Sequence, residues 1–188
     1  MIKRKSLKKE EHEVQRCHEC KIGKSGFSVF GEGNPNSKIV FVGEAPGFQE
    51  SLTGRPFIGR SGQYLTALLT SIGINRKDVY ITSPVKYYPG RRTPTPVEIK
   101  HGKTHLDNQL EIIRPQLIVL LGNVAATSLI AQRTFLTQNH GKVIKKNGRS
   151  YFLTFHPAAA LRFPKIRKLT EEDFKKLATL IDTYYLSS

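Results

Sequence analysis

Residues 39–43 read Ile39-Val40-Phe41-Val42-Gly43, and residues 117–122 read Leu117-Ile118-Val119-Leu120-Leu121-Gly122. Each is a short apolar run stopped by glycine, too short for an ordinary helix and without the polar alternation of a half-exposed strand. Runs of this kind are strands covered on both faces, as in a parallel sheet between helix layers. Val79-Tyr80-Ile81-Thr82 reads as another strand, and two more are expected at 142–145 and 150–155. Between them, Tyr64, Leu65, Leu68, Leu69 and Ile72 recur at helical spacing over 61–71, and Gly73 closes that helix. Thr95-Pro96-Val97-Glu98 is a capping box with proline at the first helical position, so a helix starts there and runs to about Arg114, before Pro115. A helix follows Gly122 over about Val124 to Ala131, and Thr170-Glu171-Glu172-Asp173 reads as the cap of a last helix carrying Phe174, Leu177, Leu180 and Ile181. Alternating strands and helices predict a three-layer α/β/α fold with a central, mostly parallel sheet of four to five strands.

The 188 residues suit one domain with its own core. We expect a basic flexible arm over 1–12, with five Lys/Arg between Met1 and Glu10, and a single α/β domain over 13–188. No apolar run approaches the about 20 residues of a membrane helix, and no apolar stretch of a secretory signal follows the basic start. Charge is the outlier: 30 Lys+Arg against 15 Asp+Glu leave +15, which favours a polyanionic partner. From Gly141 to Lys168 there is no acid at all, and Lys86, Arg91 and Arg92 lie among Tyr87 and Tyr88. Basic residues beside aromatics suit phosphate contact and base stacking.

In open α/β sheets ligands bind beyond the carboxyl ends of the strands. The loops there are 43–62, 83–92 and 156–164. The first holds Gly43-Glu44-Ala45-Pro46-Gly47 and then Gly54-Arg55-Pro56-Phe57-Ile58-Gly59-Arg60-Ser61-Gly62. Glu44 follows the strand directly, where a carboxylate can hold a water, and the helix beginning near Ser61 offers N–H groups to a phosphate. The last loop opens on His156-Pro157 and continues Ala158-Ala159-Ala160-Leu161-Arg162-Phe163-Pro164. His140 has no motif around it and is read as solvated.

Taken together, the segments GEAPG, GRPFIGRSG, VKYYPGRRTPTP and HPAAALRFP, in this order, resemble the uracil-DNA glycosylase superfamily, most closely its family 4, the iron–sulfur branch of bacteria and archaea. The resemblance implies a cytoplasmic, nucleoid-associated, monomeric repair enzyme that flips a deaminated base, uracil first, from DNA and hydrolyses its N-glycosidic bond. By the same resemblance Glu44 positions the attacking water, Phe57 stacks on the flipped base and His156 stabilises charge on its O2. Gly43, Ala45 and Ser83 complete the base pocket. Ala160, Leu161 and Arg162 fall in the loop that enters the minor groove, with Arg60, Ser61 and Lys86 as further DNA contacts. An apolar wedge beside a basic residue suits base extrusion, and a donor near the base with a carboxylate near the sugar suits the charge of the breaking bond.

Two positions depart from the family. Its uracil-reading Asn is here Ser83, whose short hydroxyl cannot make a bidentate contact with a base edge. Deaminated purines such as hypoxanthine thereby enter the substrate range. Of the family's four cluster cysteines, Cys17 and Cys20 match, while the other two positions fall on Tyr87 and Gly102. His101 and His105 flank Gly102 at i,i+4 spacing, on one helical face. The family's arrangement brings that turn close to the CxxC pair, so Cys17, Cys20, His101 and His105 are expected to form a structural zinc site in place of the cluster. His12 and His18 are spare imidazoles. Two competing readings are a damaged- or abasic-DNA binding module of the same fold and a zinc deaminase. Cys17-His18-Glu19-Cys20 lacks the H-x-E and P-C-x-x-C layout that a deaminase needs.

Overall fold

The apolar runs become the middle of one twisted sheet. The computed structural model describes residues 2–130 and 136–186. Its elements are helices α1 (Ile2–Arg16) and α2 (His18–Lys21), strands β1 (Glu32–Gly33) and β2 (Ile39–Val42), helices α3 (Phe48–Thr53) and α4 (Arg60–Ser71), and strand β3 (Tyr80–Thr82). Then come α5 (Pro96–Ile113), β4 (Leu117–Leu121), α6 (Asn123–Ile130), α7 (Leu136–Asn139), the hairpin β5 (Val143–Lys146) and β6 (Arg149–Thr154), α8 (Pro157–Arg162) and α9 (Pro164–Leu186).

The sheet order is β1-β3-β2-β4-β6-β5. β3, β2, β4 and β6 are parallel, and the two edge strands β1 and β5 are antiparallel. The sheet therefore has six strands, one beyond the expected range. The extra one is β1, a two-residue strand that follows Gly31 and ends on Gly33, with no apolar alternation to announce it. Successive strand residues point to opposite faces. Ile39, Phe41, Leu117, Val119 and Leu121 pack with Leu65, Leu68 and Leu69 of α4 and Phe174 and Leu177 of α9. Val40, Val42, Ile118 and Leu120 pack with Leu106, Leu110 and Ile113 of α5, Ala125 and Ala126 of α6, and Leu7 and Val14 of α1. This is the three-layer α/β/α arrangement.

Several local expectations change. The stretch 1–12 expected as a flexible arm is, from Ile2 on, part of α1. Leu7 and Val14, two helical turns apart, bury against the fold, and Lys3 Nζ donates to the Ile113 carbonyl at the end of α5 (2.7 Å). The dense lysines lie on its exposed side and hide the stripe in any reading by charge. The last helix starts at Pro164 rather than at Thr170. Thr170 is buried inside it and donates its hydroxyl to Ile166 O (2.7 Å). The capping box of α5 forms as read, with Glu98 N on Thr95 Oγ1 and Thr95 N on the Glu98 carboxylate. Ala131, the expected end of α6, lies outside the described residues. His140 is half-buried rather than solvated: Nδ1 meets the buried Asp173 carboxylate (2.9 Å) and its ring lies 4.8 Å from that of Phe155. The acid-free stretch 141–168 is divided between the two ends of the sheet. The β5–β6 turn sits at the amino end of β6, opposite His156, with Lys146 on Ile130 O and Arg149 on Glu111. Only its later part, around α8, lies at the carboxyl ends.

Candidate active site and metal centre

Gly43 follows β2, Ser83 follows β3 and His156 follows β6, so parallel pairing brings their loops to one end of the sheet. There they enclose a cavity of about 300 Å³, lined among others by Glu44, Ala45, Phe57, Ser61, Ser83 and His156. Tyr88, one of the aromatics whose place among basic residues suits base stacking, adds an aromatic wall to the cavity.

Phe57 is held in a strained backbone, φ 50°, a conformation L side chains rarely adopt. Several groups impose it. Arg76 donates to Pro56 O (2.5 Å) and Phe57 O (3.0 Å). The buried Glu50 carboxylate accepts from Ile58 N and Gly59 N, both at 2.8 Å. Two glycines make room: a Cβ on Gly62 would stand 1.9 Å from the Phe57 carbonyl, and one on Gly43 2.6 Å from its ring. Glu50 thus occupies the N–H groups of Ile58 and of Gly59, the residue that precedes α4, and not those of the first turn near Ser61. The Phe57 ring and the His156 imidazole lie 5.7 Å apart, tilted by 32°.

His156 caps α8. Its Nδ1 accepts from Ala158 N (3.2 Å), and Pro157 fills the first helical position. Burial draws its pKa down to about 4, so the ring is neutral at physiological pH. With Nδ1 an acceptor, the one ring proton sits on Nε2. Burial likewise raises the pKa of Glu44. Ser83 is buried, and its hydroxyl donates to Val85 O within its own turn (2.8 Å).

The second cluster lies across α5. Helix α2 begins directly after Cys17 and carries Cys20, while His101 and His105 lie one turn apart on α5 and meet edge to face, ring centroids 5.8 Å apart. The donor atoms of Cys17, Cys20, His101 and His105 all lie within 4.8 Å of one another, with Cys17 Sγ 3.1 Å from His101 Nε2. Burial, then the neighbouring Cys17, push the Cys20 thiol up to about 12. Two thiolates and two imidazoles around one point fit a single tetrahedral ion. They do not fit a four-cysteine cluster: Tyr87 is buried, and a Cβ at Gly102 would stand 2.2 Å from Pro84 O, leaving no room there for a cysteine.

Residues 30–179 match the sequence model of the uracil DNA glycosylase superfamily. The chain belongs to this superfamily. It is similar to the type-4 uracil-DNA glycosylase of Sulfurisphaera tokodaii, at 40% identity over 95% of this chain and 86% of that protein. It is similar also to those of Archaeoglobus fulgidus, at 42% over 89% of each, and Thermotoga maritima, at 41% over 89% of this chain and 91% of the relative.

Of the residues that the superfamily motifs single out, Gly43, Glu44, Ala45, Phe57, Ser61, Ser83 and His156 gather around the cavity or beneath it. Arg60 is exposed at the start of α4. Leu161, 40% exposed, and Arg162, stacked at 5.3 Å on the exposed Phe163 ring, form the outer tip of α8. Two expected DNA contacts are corrected. Ala160 is buried beneath that tip. Lys86 is 1% exposed, its ammonium donated to Phe30 O (3.2 Å), Thr82 Oγ1 (2.7 Å) and Gln109 Oε1, so none of it reaches a phosphate. His12 and His18 are exposed and stand outside the metal group. Sequence reasoning missed Glu50 and Arg76, which hold the Phe57 loop. Neither carries a local signal, because each acts across the chain on backbone atoms.

Proposed function

We propose that this chain is a monofunctional DNA N-glycosylase that removes uracil from DNA and leaves an abasic site. The observation that carries the reading is the convergence of Glu44, Phe57 and His156 on one cavity. The flipped base stacks on Phe57, and His156 donates its Nε2 proton in a hydrogen bond to the base O2. That bond strengthens as the leaving base gains negative charge, and one such donor is worth about 10²–10³ in rate. Glu44 holds a water for attack on C1′. The C1′–N bond breaks with its electron pair going to the base, water supplies the new C1′–O bond, and the displaced proton ends on the base or in solvent. Leu161 fills the vacated stack and Arg162 follows the backbone. No lysine among the residues lining the cavity is placed for Schiff-base chemistry, so strand cleavage is not part of the reaction.

Ser83 supports a wider substrate range. Its hydroxyl is committed to Val85 O, so no side-chain amide from this position reads the base edge. Hypoxanthine and xanthine then compete on shape and backbone contacts, below uracil. The Cys17, Cys20, His101 and His105 set holds zinc in this reading, as a structural ion that ties the N-terminal segment to α5 and takes no part in bond cleavage. The net charge of +15 supports nucleoid DNA as the polyanion, with the enzyme acting as a monomer in the cytoplasm.

Release of free base from oligonucleotides containing uracil, hypoxanthine, xanthine or no lesion tests the function. Wild type releases uracil, and Glu44→Ala and His156→Ala lose at least about 10²-fold in rate. DNA binding with no release from any substrate would instead establish the binding module. Elemental analysis tests the metal, with about one zinc per chain expected.

A further inference from the structure

Both candidate metal histidines present the same nitrogen to a carboxylate. His101 Nδ1 lies 2.9 Å from Glu19 Oε2, and His105 Nδ1 lies 2.7 Å from Glu10 Oε1. In each ring this leaves Nε2 as the nitrogen free to ligate, and His101 Nε2 already faces Cys17 Sγ. A carboxylate on the far nitrogen of a ligating imidazole fixes its tautomer and orientation and makes it a better donor. Glu19 sits inside the CxxC pair and Glu10 belongs to no motif; they come from different elements, α2 and α1, so the matched orientation is not the product of a single turn.

The two are not equivalent. The Glu10 and His105 side chains are 11% and 12% exposed, and the second Glu10 oxygen is held by Asn108 Nδ2 (3.1 Å). The Glu19 side chain is 69% exposed, and its partner His101 is at 28%. A hydrogen bond to a charged group is worth more where water does not compete for it.

We propose that Glu10 and Glu19 are positioning residues of the metal centre, with Glu10 dominant, and that Glu10 makes helix α1 part of that centre. The inference rests on the Cys17, Cys20, His101, His105 reading. Metal binding and the docking of α1 are then linked: each strengthens the other by the same free energy.

The test is zinc affinity by competition with a chromophoric chelator, on the full chain, alongside hydrogen exchange of the α1 amides with and without zinc. Glu10→Ala weakens zinc binding by about 10- to 100-fold. Glu10→Gln, which keeps an acceptor oxygen, recovers part of that loss, and Glu19→Ala changes affinity less than Glu10→Ala. Zinc slows exchange along α1 in wild type, and Glu10→Ala removes most of that protection. A cobalt-substituted absorption spectrum typical of two thiolates in both wild type and Glu10→Ala confirms that the ligand set itself is intact. Zinc bound by wild type at one equivalent, with Glu10→Ala unchanged in affinity and exchange, overturns the proposal. No zinc in wild type overturns the underlying metal reading, a result the chelator titration separates from the first.

Discussion

Replacing Gly62 by alanine tests whether the conformation of Phe57 is a requirement of catalysis. The added Cβ would stand 1.9 Å from both the carbonyl carbon and oxygen of Phe57. Ordinary carbon contacts begin near about 3.5 Å, so loop or helix must retreat by about 1.6 Å. The loop is the softer partner: α4 is anchored by Leu65, Leu68 and Leu69 in the core. Misplacement of a substrate-positioning group by about 1 Å costs about 10²-fold in rate, so we expect a loss of that order or more in single-turnover uracil release. Stability carries an independent sign. In a helix, alanine in place of glycine normally stabilises by about 0.5–1 kcal/mol, so a clash shows as a lowered unfolding midpoint instead. Gly62→Ala with wild-type kcat/KM and a raised midpoint would refute the reasoning.

The other predictions concern charge, pH and capping. Lys86→Met leaves the salt dependence of DNA affinity unchanged, whereas Arg162→Ala reduces its logarithmic slope by about 1; a reduced slope for Lys86→Met would return that lysine to the DNA face. His156 is charged only below about pH 4 in the fold, against about 6.5 in the unfolded chain. The unfolded state therefore binds more protons between these values, and this contribution to stability is present above pH 6.5 and lost as pH falls toward 4. Proton NMR checks it, a His156 midpoint near 6.5 being the contrary result. Because burial raises the pKa of Glu44, the acid limb of kcat/KM should fall at a pH above the ordinary glutamate value of about 4.3, as a pH–rate profile will read. Thr95→Ala removes the acceptor for Glu98 N and should cost about 1 kcal/mol in urea unfolding.

What was legible in the sequence was what is local or periodic. The runs at 39–42 and 117–121 announce buried strands because both faces of the sheet are covered, and Thr95 and Glu98 announce a helix start because both partners lie within one turn. Each half of the Cys/His group was legible for the same reason, as a pair spaced for one turn, but only the resemblance to the family brought the two halves together. Long-range polar contacts left no such trace. Lys86 looked like a DNA contact by its neighbours, yet its ammonium is satisfied by Phe30, Thr82 and Gln109, from three separate stretches of chain. Glu10 read as one more charge in a basic arm, and only docking of α1 brings it to His105. Thr170 misled by composition, since a threonine followed by acids imitates a cap even where its hydroxyl bonds back into an existing helix.

Gly102 offers no side chain to either the cavity or the Cys/His group, yet it joins their surroundings. It lies between His101 and His105 on one side and presses its bare Cα against the turn that begins at Ser83 on the other, so closely that a methyl would meet Pro84 O at 2.2 Å. From that turn the chain runs on to Tyr88, whose carbonyl accepts from Ser25, a few residues past the cysteines. The Cys/His group and the cavity are thus joined through a direct backbone contact at Gly102. Any side chain at residue 102 would have to push the Ser83 turn, and with it one wall of the cavity, away from α5.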